Sequence, residues 1–290
     1  MSSSSLGSSS RILVIGGTGT MGQHLVKASL AAGHPTAALV RPATAANPSK
    51  LKLLEAIKGS GATILYQFNI RADPSIYFDL GHATGRPLQG DIYEHESLVA
   101  AMKQVDVVIS AVGHRGPRDL GDGQLRIVQA IKEAPNVKRF VPSEFGCDVD
   151  QAVRRRRGAA AAVVEPARSM LLDKVAVWEA VRAAGVPHNF ICTYCPHGFL
   201  LPRLGDPQLD GPPTTKATIF GHDNTRVIFV HEADMSALTI KAVEDPRTLN
   251  KILYVRPASN TCSFSHLVHL WEQMAGRTLH SEAREHPTLS

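Results

Sequence analysis

The sequence predicts an α/β fold, namely a doubly wound parallel sheet of the Rossmann type with a smaller, irregular C-terminal part. Short apolar runs alternate with amphipathic stretches through the first half, which is typical of βαβ units. A glycine-rich turn follows the first apolar run, and the regular alternation ends near residue 196. We therefore expect a disordered tail over 1–10, a nucleotide-binding domain over 11–195 and a substrate-binding part over 196–290.

The predicted elements follow the chain in order. In the first part we predict strands in RILVIG, PTAALVR, ATILY, VDVVISAVG, VKRFVPSEFG and VPHNFICTY. The predicted helices are MGQHLVKASLAAG, KLKLLEAIKGSG, ESLVAAMKQ, QLRIVQAIKEA and a further helix that contains Lys174 and ends near Gly185. Beyond residue 196 we predict the strands KATIFG, RVIFVH and KILYVR and the helices EADMSALTIKAVED and FSHLVHLWEQMAG.

One segment breaks this alternation. Residues Tyr66 to Leu88 show neither a helical period nor the pattern of a buried strand. Long structureless loops are uncommon inside compact domains. We therefore predict an insertion, over about residues 66–88, that bulges out beyond the third strand.

Composition excludes several classes of protein. The chain of 290 residues is 43% hydrophobic and 20% charged, which is typical of globular domains. No apolar run is long enough for a membrane span, and the first residues lack the features of a secretory signal. The four cysteines do not suggest a disulfide framework. We expect a cytoplasmic protein without a membrane partner.

Nucleic acid and metal are also not expected as ligands. The net charge is +5, but the basic run Arg154–Arg157 lies in an Ala/Gly-rich loop without interleaved aromatic residues, unlike a nucleic-acid module. Cys192 and Cys195 form a single pair, whereas a structural zinc site needs about four ligands. His266 and His269, one helical turn apart, are commoner as surface residues than as metal ligands.

The glycine-rich turn VIGGTGTMG predicts a dinucleotide site. Gly16, Gly19 and Gly22 have the spacing G-x-x-G-x-x-G between a strand and a helix. Glycines let the backbone approach a pyrophosphate, whose charge is met by the N–H groups of the helix start. The predicted cofactor contacts in this turn are Gly16, Gly17, Thr18, Gly19, Thr20, Met21 and Gly22. A merely structural glycine turn is the alternative.

The end of the second strand selects the dinucleotide. An acidic residue there would bind the ribose 2′-hydroxyl of NAD, whereas an arginine accommodates the 2′-phosphate of NADP. This chain has Arg41 at that point, and no acid follows until Glu55. Lys50 is a second candidate cation at the start of the next helix. The pattern favours NADPH over NADH, and ordinary surface charges are the alternative.

A lone lysine is the candidate catalytic residue. In many reductases with this kind of sheet, a tyrosine four residues before a helical lysine donates a proton, but this chain has Met170 in that position, before Lys174. A lysine beside the nicotinamide can position the cofactor and assist proton transfer. The alternative is a lysine on an amphipathic helix whose charged end reaches solvent.

Six segments together resemble the plant isoflavone reductase-like group of NmrA-like atypical short-chain dehydrogenases, which includes the phenylcoumaran benzylic ether reductases. They are GGTGTMGQHLVKASLAAGHPTAALVRP, DVVISAVGH, VKRFVPSEFGCDVD, VEPARSMLLDK, AVRAAGVP and VEDPRTLNKILYVRPASNTCSFSHLVHLWE. The resemblance implies an NADPH-dependent reductase of phenylpropanoid-type aromatic compounds that transfers hydride without a metal. It places the family's 2′-phosphate arginine on Arg41, its phosphate lysine on Lys50 and its catalytic lysine on Lys174.

Further residues are expected around the cofactor. His114 and Phe145 are expected to flank the nicotinamide edge of the site. Tyr194, Cys195 and Pro196 end the sixth strand, where the cofactor pocket of the family closes. Packing roles are the alternative for each of them.

Three departures from the family pattern keep a second function open. Trp178 stands where relatives carry a basic residue near the cofactor, the insertion interrupts the family sequence, and the C-terminal segment that completes the substrate-binding part is expected to be truncated. The alternative is a catalytically weak NADP(H)-binding redox sensor or regulatory protein of the NmrA-like type. The sequence leaves the oligomeric state open, with a homodimer as one expected assembly.

Overall fold

The structure is a computed structural model, and it describes residues 9–66, 94–113, 119–154, 167–206, 208–220 and 226–284. The strands are β1 (Ile12–Ile15), β2 (Thr36–Val40), β3 (Thr63–Tyr66), β4 (Val107–Ser110), β5 (Arg139–Val141), β6 (Asn189–Cys192), β7 (Cys195–Pro196), β8 (Lys216–Phe220), β9 (Arg226–Val230), β10 (Lys251–Tyr254), β11 (Thr261–Ser263) and β12 (His280–Arg284). The helices are α1 (Thr20–Ala31), α2 (Pro42–Ala45), α3 (Pro48–Gly59), α4 (His95–Met102), α5 (Gln124–Lys132), α6 (Val149–Arg154), α7 (Ala167–Ala183), α8 (His197–Leu200), α9 (Glu232–Glu244) and α10 (Phe264–Ala275).

A parallel sheet forms the centre of the fold. Five strands pair in the order β3-β2-β1-β4-β5, and all four pairings are parallel. Single bridges from Phe140 to His188 and from Gly146 to Cys192 connect β5 to β6, and β10 pairs in parallel with β6. The carboxyl ends of the strands therefore lie along one edge, where open α/β sheets bind their ligands.

Helices cover both faces of this sheet, as a doubly wound fold requires. The apolar side chains of α1, α3 and α9 pack with Ile12 and Val14 of β1 on one face. Those of α4, α5 and α7 pack with Leu13 and Ile15 on the other face. The alternation of buried residues along β1 thus serves two cores, which explains why the strand reads as a continuous apolar run. The predicted fold class is confirmed.

Trp178 belongs to the second of these cores. Its ring stacks on Phe190 of β6, with 4.0 Å between ring centroids and 4° between the planes, and the side chain is fully buried. Aromatic pairs of this kind add stability beyond the area they bury. The tryptophan is therefore a core residue of α7.

The C-terminal part forms a smaller unit around short strands. β9 pairs in parallel with β7 and antiparallel with β11, and β8 pairs in parallel with β12. Leu204, Ile219, Val268 and Leu279 make its small core. The predicted strands and helices of this part are present, whereas α8, β7, β11 and β12, like α2 and α6 earlier in the chain, are short elements that the sequence pattern did not indicate.

The boundary at residue 195 between the nucleotide-binding domain and the substrate-binding part stays a prediction. The main hydrophobic core includes residues from after this boundary. Met235, Ile240 and Val243 of α9 share a cluster with Leu25 of α1. β10 extends the central sheet next to β6. Residues from both sides of the division thus form the layer that supports the glycine-rich turn.

Several predictions fall on residues outside the described ranges. These are the tail up to residue 8, almost all of the predicted insertion, His114 and three of the four arginines in the basic run. Within the part of the chain that the structure describes, no helix combines the length and apolarity needed to cross a bilayer.

We expect Ile240→Ala to lower the free energy of unfolding by about 2–5 kcal/mol, because the side chain is 2% exposed in the shared core and its removal leaves a cavity. Leu238→Ala, on the same helix but 38% exposed, is the matched control and should cost less than about 1 kcal/mol. Denaturant unfolding followed by circular dichroism measures both. Equal, small losses would show that α9 does not share the main core.

Candidate active site

The glycine-rich turn lies at the carboxyl end of β1 and leads directly into α1. Gly16 has φ of +83°, a left-handed conformation that costs glycine little. The amide of Gly19 donates to the carbonyl of Gly16 over 2.9 Å and closes the turn. Among the described residues no side chain caps the start of α1. This helix start directly follows the carboxyl end of β1, where an anion can accept from its first N–H groups.

The glycines of this turn are required by close backbone approaches. A Cβ atom on Gly22 would lie 2.1 Å from the carbonyl oxygen of Gly16, and one on Gly16 would lie 2.7 Å from the carbonyl oxygen of Ala111. A Cβ on Gly17 would lie 2.9 Å from the side chain of Ala38 in β2. Side chains at Gly16 and Gly17 would push the turn away from the strands, and one at Gly22 would push α1 away from the turn, so glycines at these positions keep the turn compact.

The two predicted phosphate cations stand on the neighbouring βα unit. Arg41 directly follows β2, which pairs with β1, so its half-buried side chain starts at the same edge as the glycine-rich turn. Lys50 lies in the first turn of α3, whose start is capped by Asn47 accepting from the Ser49 amide over 3.0 Å. This placement fits the predicted contacts with a 2′-phosphate, and those contacts stay a prediction.

Lys174 is a buried amine at the same edge. It lies on α7 with a side chain that is 11% exposed. Its Nζ donates to the backbone carbonyl of Glu144 over 2.8 Å and lies 3.8 Å from Oε2 of the same residue. The charged end is therefore held inside the protein. The alternative, in which the amine of an amphipathic-helix lysine extends into solvent, does not describe Lys174.

Glu144 is the functional candidate that the sequence analysis missed. Its side chain is fully buried in the loop after β5, and burial raises its pKa to about 7, although the Lys174 charge works in the opposite direction. The motif SEFG at the end of an apolar strand carried the signal, because an acid directly after a buried strand is placed at the ligand-binding edge.

Two residues beside this pair have strained backbones. Phe145 and Tyr194 have φ of 43° and 63°, a region that non-glycine residues rarely adopt. The Phe145 amide donates to Ile191 over 3.2 Å and the Tyr194 amide to Gly146 over 3.0 Å, so the two loops are fastened to each other. Strain of this kind clusters at functional sites.

The side chains of these two residues have different surroundings. Phe145 is buried in the core cluster that contains Ile191, which is the packing role considered above. The Tyr194 hydroxyl accepts from Nε of Arg256 over 2.5 Å, and the Arg256 guanidinium lies 4.8 Å from the ring centroid of Tyr254. An aromatic and cationic wall thus stands beside the end of β6.

Cys195 and Pro196 form the short strand β7, which follows Tyr194 and joins the C-terminal part to the end of β6. Burial raises the pKa of the Cys195 thiol to about 11, so this thiol stays protonated at neutral pH. Among the described residues, no group of three or more His, Cys, Asp or Glu side chains is arranged to hold a metal ion.

Comparison with known proteins identifies the family. The model of the NmrA-like family matches residues 8–289. The chain belongs to the NmrA-like family. Among its relatives, eugenol synthase 1 of Petunia hybrida is 45% identical over 270 residues, which are 93% of this chain and 76% of the relative. Phenylcoumaran benzylic ether reductase Betv6 of Betula pendula matches with the same identity and coverage.

Solved structures of the NmrA-like family agree with this assignment. AtPrR2 with NADP+ and (+)pinoresinol has a TM-score of 0.79 at 35% identity, covering 98% of this chain and 81% of that protein. Leucoanthocyanidin reductase of Vitis vinifera with NADPH has a TM-score of 0.74 at 32% identity, covering 95% of this chain and 78% of that protein. The predicted resemblance to the isoflavone reductase-like group is confirmed.

We expect Gly22→Ala to weaken NADPH binding at least about 100-fold, because displacing the glycine-rich turn removes backbone contacts with the pyrophosphate. Gly59→Ala is the matched control, since a Cβ atom at Gly59 in α3 meets nothing within 4 Å. Fluorescence titration of the reduced nicotinamide measures both variants. Similar affinities in the two would contradict the requirement for glycine in this turn.

Proposed function

We propose that this protein is an NADPH-dependent reductase of phenylpropanoid-type aromatic compounds. The observation that carries the proposal is the buried amine of Lys174, fixed at the edge of the sheet that also presents the glycine-rich turn. Relatives named eugenol synthase and phenylcoumaran benzylic ether reductase support the substrate class. Neighbouring structures that contain NADP+ or NADPH support the cofactor.

The residues at the edge of the sheet fit this cofactor. A cradle that a Cβ atom would fill and an uncapped start of α1 suit a pyrophosphate. Arg41, at the end of β2, suits the 2′-phosphate, because an arginine fork binds phosphate with two parallel hydrogen bonds. Lys50 would add a second cation. When bound there, NADPH supplies a hydride.

Lys174 provides the proton chemistry in this proposal. A phenolic hydroxyl of the substrate would approach Nζ through the small part of the lysine that stays exposed. In its deprotonated form the amine would accept the phenolic proton, and as an ammonium group it would return a proton to that oxygen once hydride has been added elsewhere on the substrate. Burial excludes most water from the amine, which strengthens its electrostatic effect on the phenolic oxygen.

The reductase is favoured over the redox sensor by the same amine. A redox sensor needs the glycine-rich turn and Arg41 to bind the cofactor. It has no need for a lysine buried beside a carboxyl group at the carboxyl edge of the sheet, because cofactor binding alone requires no proton transfer. Trp178 does not weaken the reductase proposal, because its ring is occupied in the stack with Phe190. The homodimer and the cytoplasmic location stay predictions from the sequence.

For cofactor choice, we expect Arg41→Ala to weaken NADPH binding by about 10- to 100-fold and to leave NADH binding nearly unchanged, since only NADPH carries the phosphate that the arginine binds. Lys52→Ala, which removes an exposed cation from α3, is the matched control. Titration of both cofactors against the three proteins gives the answer. Unchanged preference in Arg41→Ala would refute the assignment.

For catalysis, we expect the wild type to oxidise NADPH with at least one member of a panel of coniferyl esters, dihydrobenzofuran lignans, isoflavones and leucoanthocyanidins. Lys174→Met keeps the apolar stem but removes the amine, so turnover should fall about 100-fold or more while NADPH still binds. Lys241→Met, an exposed lysine of α9, is the control. Cofactor binding without oxidation across the whole panel would favour the sensor instead.

A further inference from the structure

A fully buried carboxyl group stands behind the candidate catalytic lysine. The side chain of Glu144 has no solvent exposure, and neither of its carboxyl oxygens has a hydrogen-bond partner within the part of the chain that the structure describes. Burying a carboxyl group without hydrogen bonds is costly. A residue that costs so much stability at the ligand edge is typical of a functional site.

Glu144 contacts Lys174 through two different groups. Its backbone carbonyl accepts from Nζ over 2.8 Å, and its carboxyl Oε2 lies 3.8 Å from the same nitrogen. One residue thus supplies both a fixed acceptor and a counter-charge. A cation that has one hydrogen bond and a nearby counter-charge on the same side has less freedom of direction than one held by the hydrogen bond alone.

Residues on four elements surround the carboxyl group. Four of them affect the pKa of Glu144: Lys174 and Trp178 of α7, Asp148 of the loop after β5 and Asp150 of α6. The Glu144 charge in turn affects the pKa of two thiols, Cys147 of the same loop and Cys192 of β6. The ammonium group and the indole N–H favour the ionised carboxylate, whereas burial and the two aspartates oppose it. With its pKa raised to about 7, Glu144 changes its charge near neutral pH.

We propose that Glu144 is a positioning residue for Lys174. The ionised carboxylate of Glu144 fixes the direction in which the ammonium group of Lys174 points toward the substrate phenol. This inference rests on the proposed reductase function. When Glu144 takes up a proton, the amine keeps its bond to the backbone carbonyl but loses its counter-charge. Turnover then depends on the charge of a group that does not itself touch the substrate.

The indole of Trp178 gives this arrangement a second support. The ring is held by its stack on Phe190, and its N–H lowers the pKa of Glu144, although Nε1 makes no hydrogen bond of ordinary geometry within the described residues. Trp178 is thus placed to support the carboxylate from α7. This explains why an aromatic residue can occupy a position in which a basic side chain was expected.

The test compares Glu144→Gln with Glu144→Asp in the full-length protein with NADPH and the best substrate of the panel. The glutamine variant keeps the size of the side chain and removes its charge, whereas the aspartate variant keeps the charge and shortens the side chain. Glu133→Gln makes the same chemical change at an exposed glutamate next to His95 and is the matched control.

We expect kcat of the wild type to fall as the pH decreases through about 7, where Glu144 becomes protonated. Glu144→Gln should have a kcat about 10-fold lower at pH 8, as the loss of one charge-assisted contact predicts, and no inflection near pH 7. Glu144→Asp should recover part of the rate together with the inflection. The KM for NADPH should change less than about twofold in all variants, because no contact with the cofactor is removed.

A wild-type rate and pH profile in Glu144→Gln would overturn the positioning role. A loss of rate that retains the inflection near pH 7 would also overturn it, because the titrating group would then lie elsewhere. Glu133→Gln should match the wild type throughout. A wild type without turnover on any substrate would refute the proposed reductase function. In that case, measurements of unfolding free energy still test whether Glu144 pairs with Lys174.

The stability measurement is independent of turnover. Folding raises the pKa of Glu144 from 4.5 to about 7, so the folded state binds this proton more tightly than the unfolded state does. The wild type should therefore lose stability relative to Glu144→Gln as the pH rises from about 4.5 to about 7, and the difference should level off above that range. A difference that stays constant from pH 4.5 to 8 would contradict the buried titration.

A double-mutant cycle then shows whether Lys174 is the partner. Unfolding of the wild type, Glu144→Gln, Lys174→Met and the double variant gives the coupling between the two side chains. We expect a stabilising coupling at pH 8 that is lost at pH 5, where the carboxyl group is neutral. Additive effects at pH 8 would show that the carboxylate does not hold the amine and would overturn the inference.

Discussion

The parallel pairing of β1 with β2 on one side and β4 on the other is the constraint on which the site depends. Because every strand of the sheet runs in one direction, all the loops that leave carboxyl ends meet at one edge. The glycine-rich turn follows β1, Arg41 follows β2, and Glu144 lies in the loop after β5. Residues separated by more than a hundred positions thus come to the same edge of the sheet, although each stays in its own βα unit.

The pair formed by Glu144 and Lys174 shows how a stable sheet tolerates an unfavourable group. Hydrophobic layers on both faces of the sheet keep β5 and β6 in place, and one of them includes α7. The loops at the ends of these strands can therefore hold a buried charge and two left-handed residues. A buried ion pair is weak support for stability by itself. Its value lies in direction, since a rigid backbone carbonyl and a carboxyl group together fix one nitrogen.

Much of the fold followed from periodicity, and the parts that did not have physical reasons. Apolar runs and amphipathic stretches located the main strands and helices, because those patterns record burial on one or both faces. They could not show that α9 packs on α1 or that β10 joins β6, since periodicity contains no information about partners. Short elements such as β7, with two residues, lack a period altogether.

The sequence predicted those parts of the site that neighbouring residues define, and it did not predict those that depend on contacts between distant segments. The glycine-rich turn and Arg41 are read from neighbouring residues and spacing, and the structure places them together. Glu144 and Trp178 could not be understood in that way, because their meaning comes from contacts between α7 and the loop after β5. The family pattern implied a basic residue near the cofactor at this position, and Trp178, which departs from that pattern, is a packed side chain beside a carboxyl group.

The passage of the main core through α9 and β10 also affects how the chain is made. A ribosome releases the glycine-rich turn early, yet the helix that packs behind α1 is synthesised some two hundred residues later. Until that helix emerges, α1 lacks the apolar partners that α9 provides in the folded protein. The nucleotide-binding layer is therefore completed only after the C-terminal sequence has been synthesised.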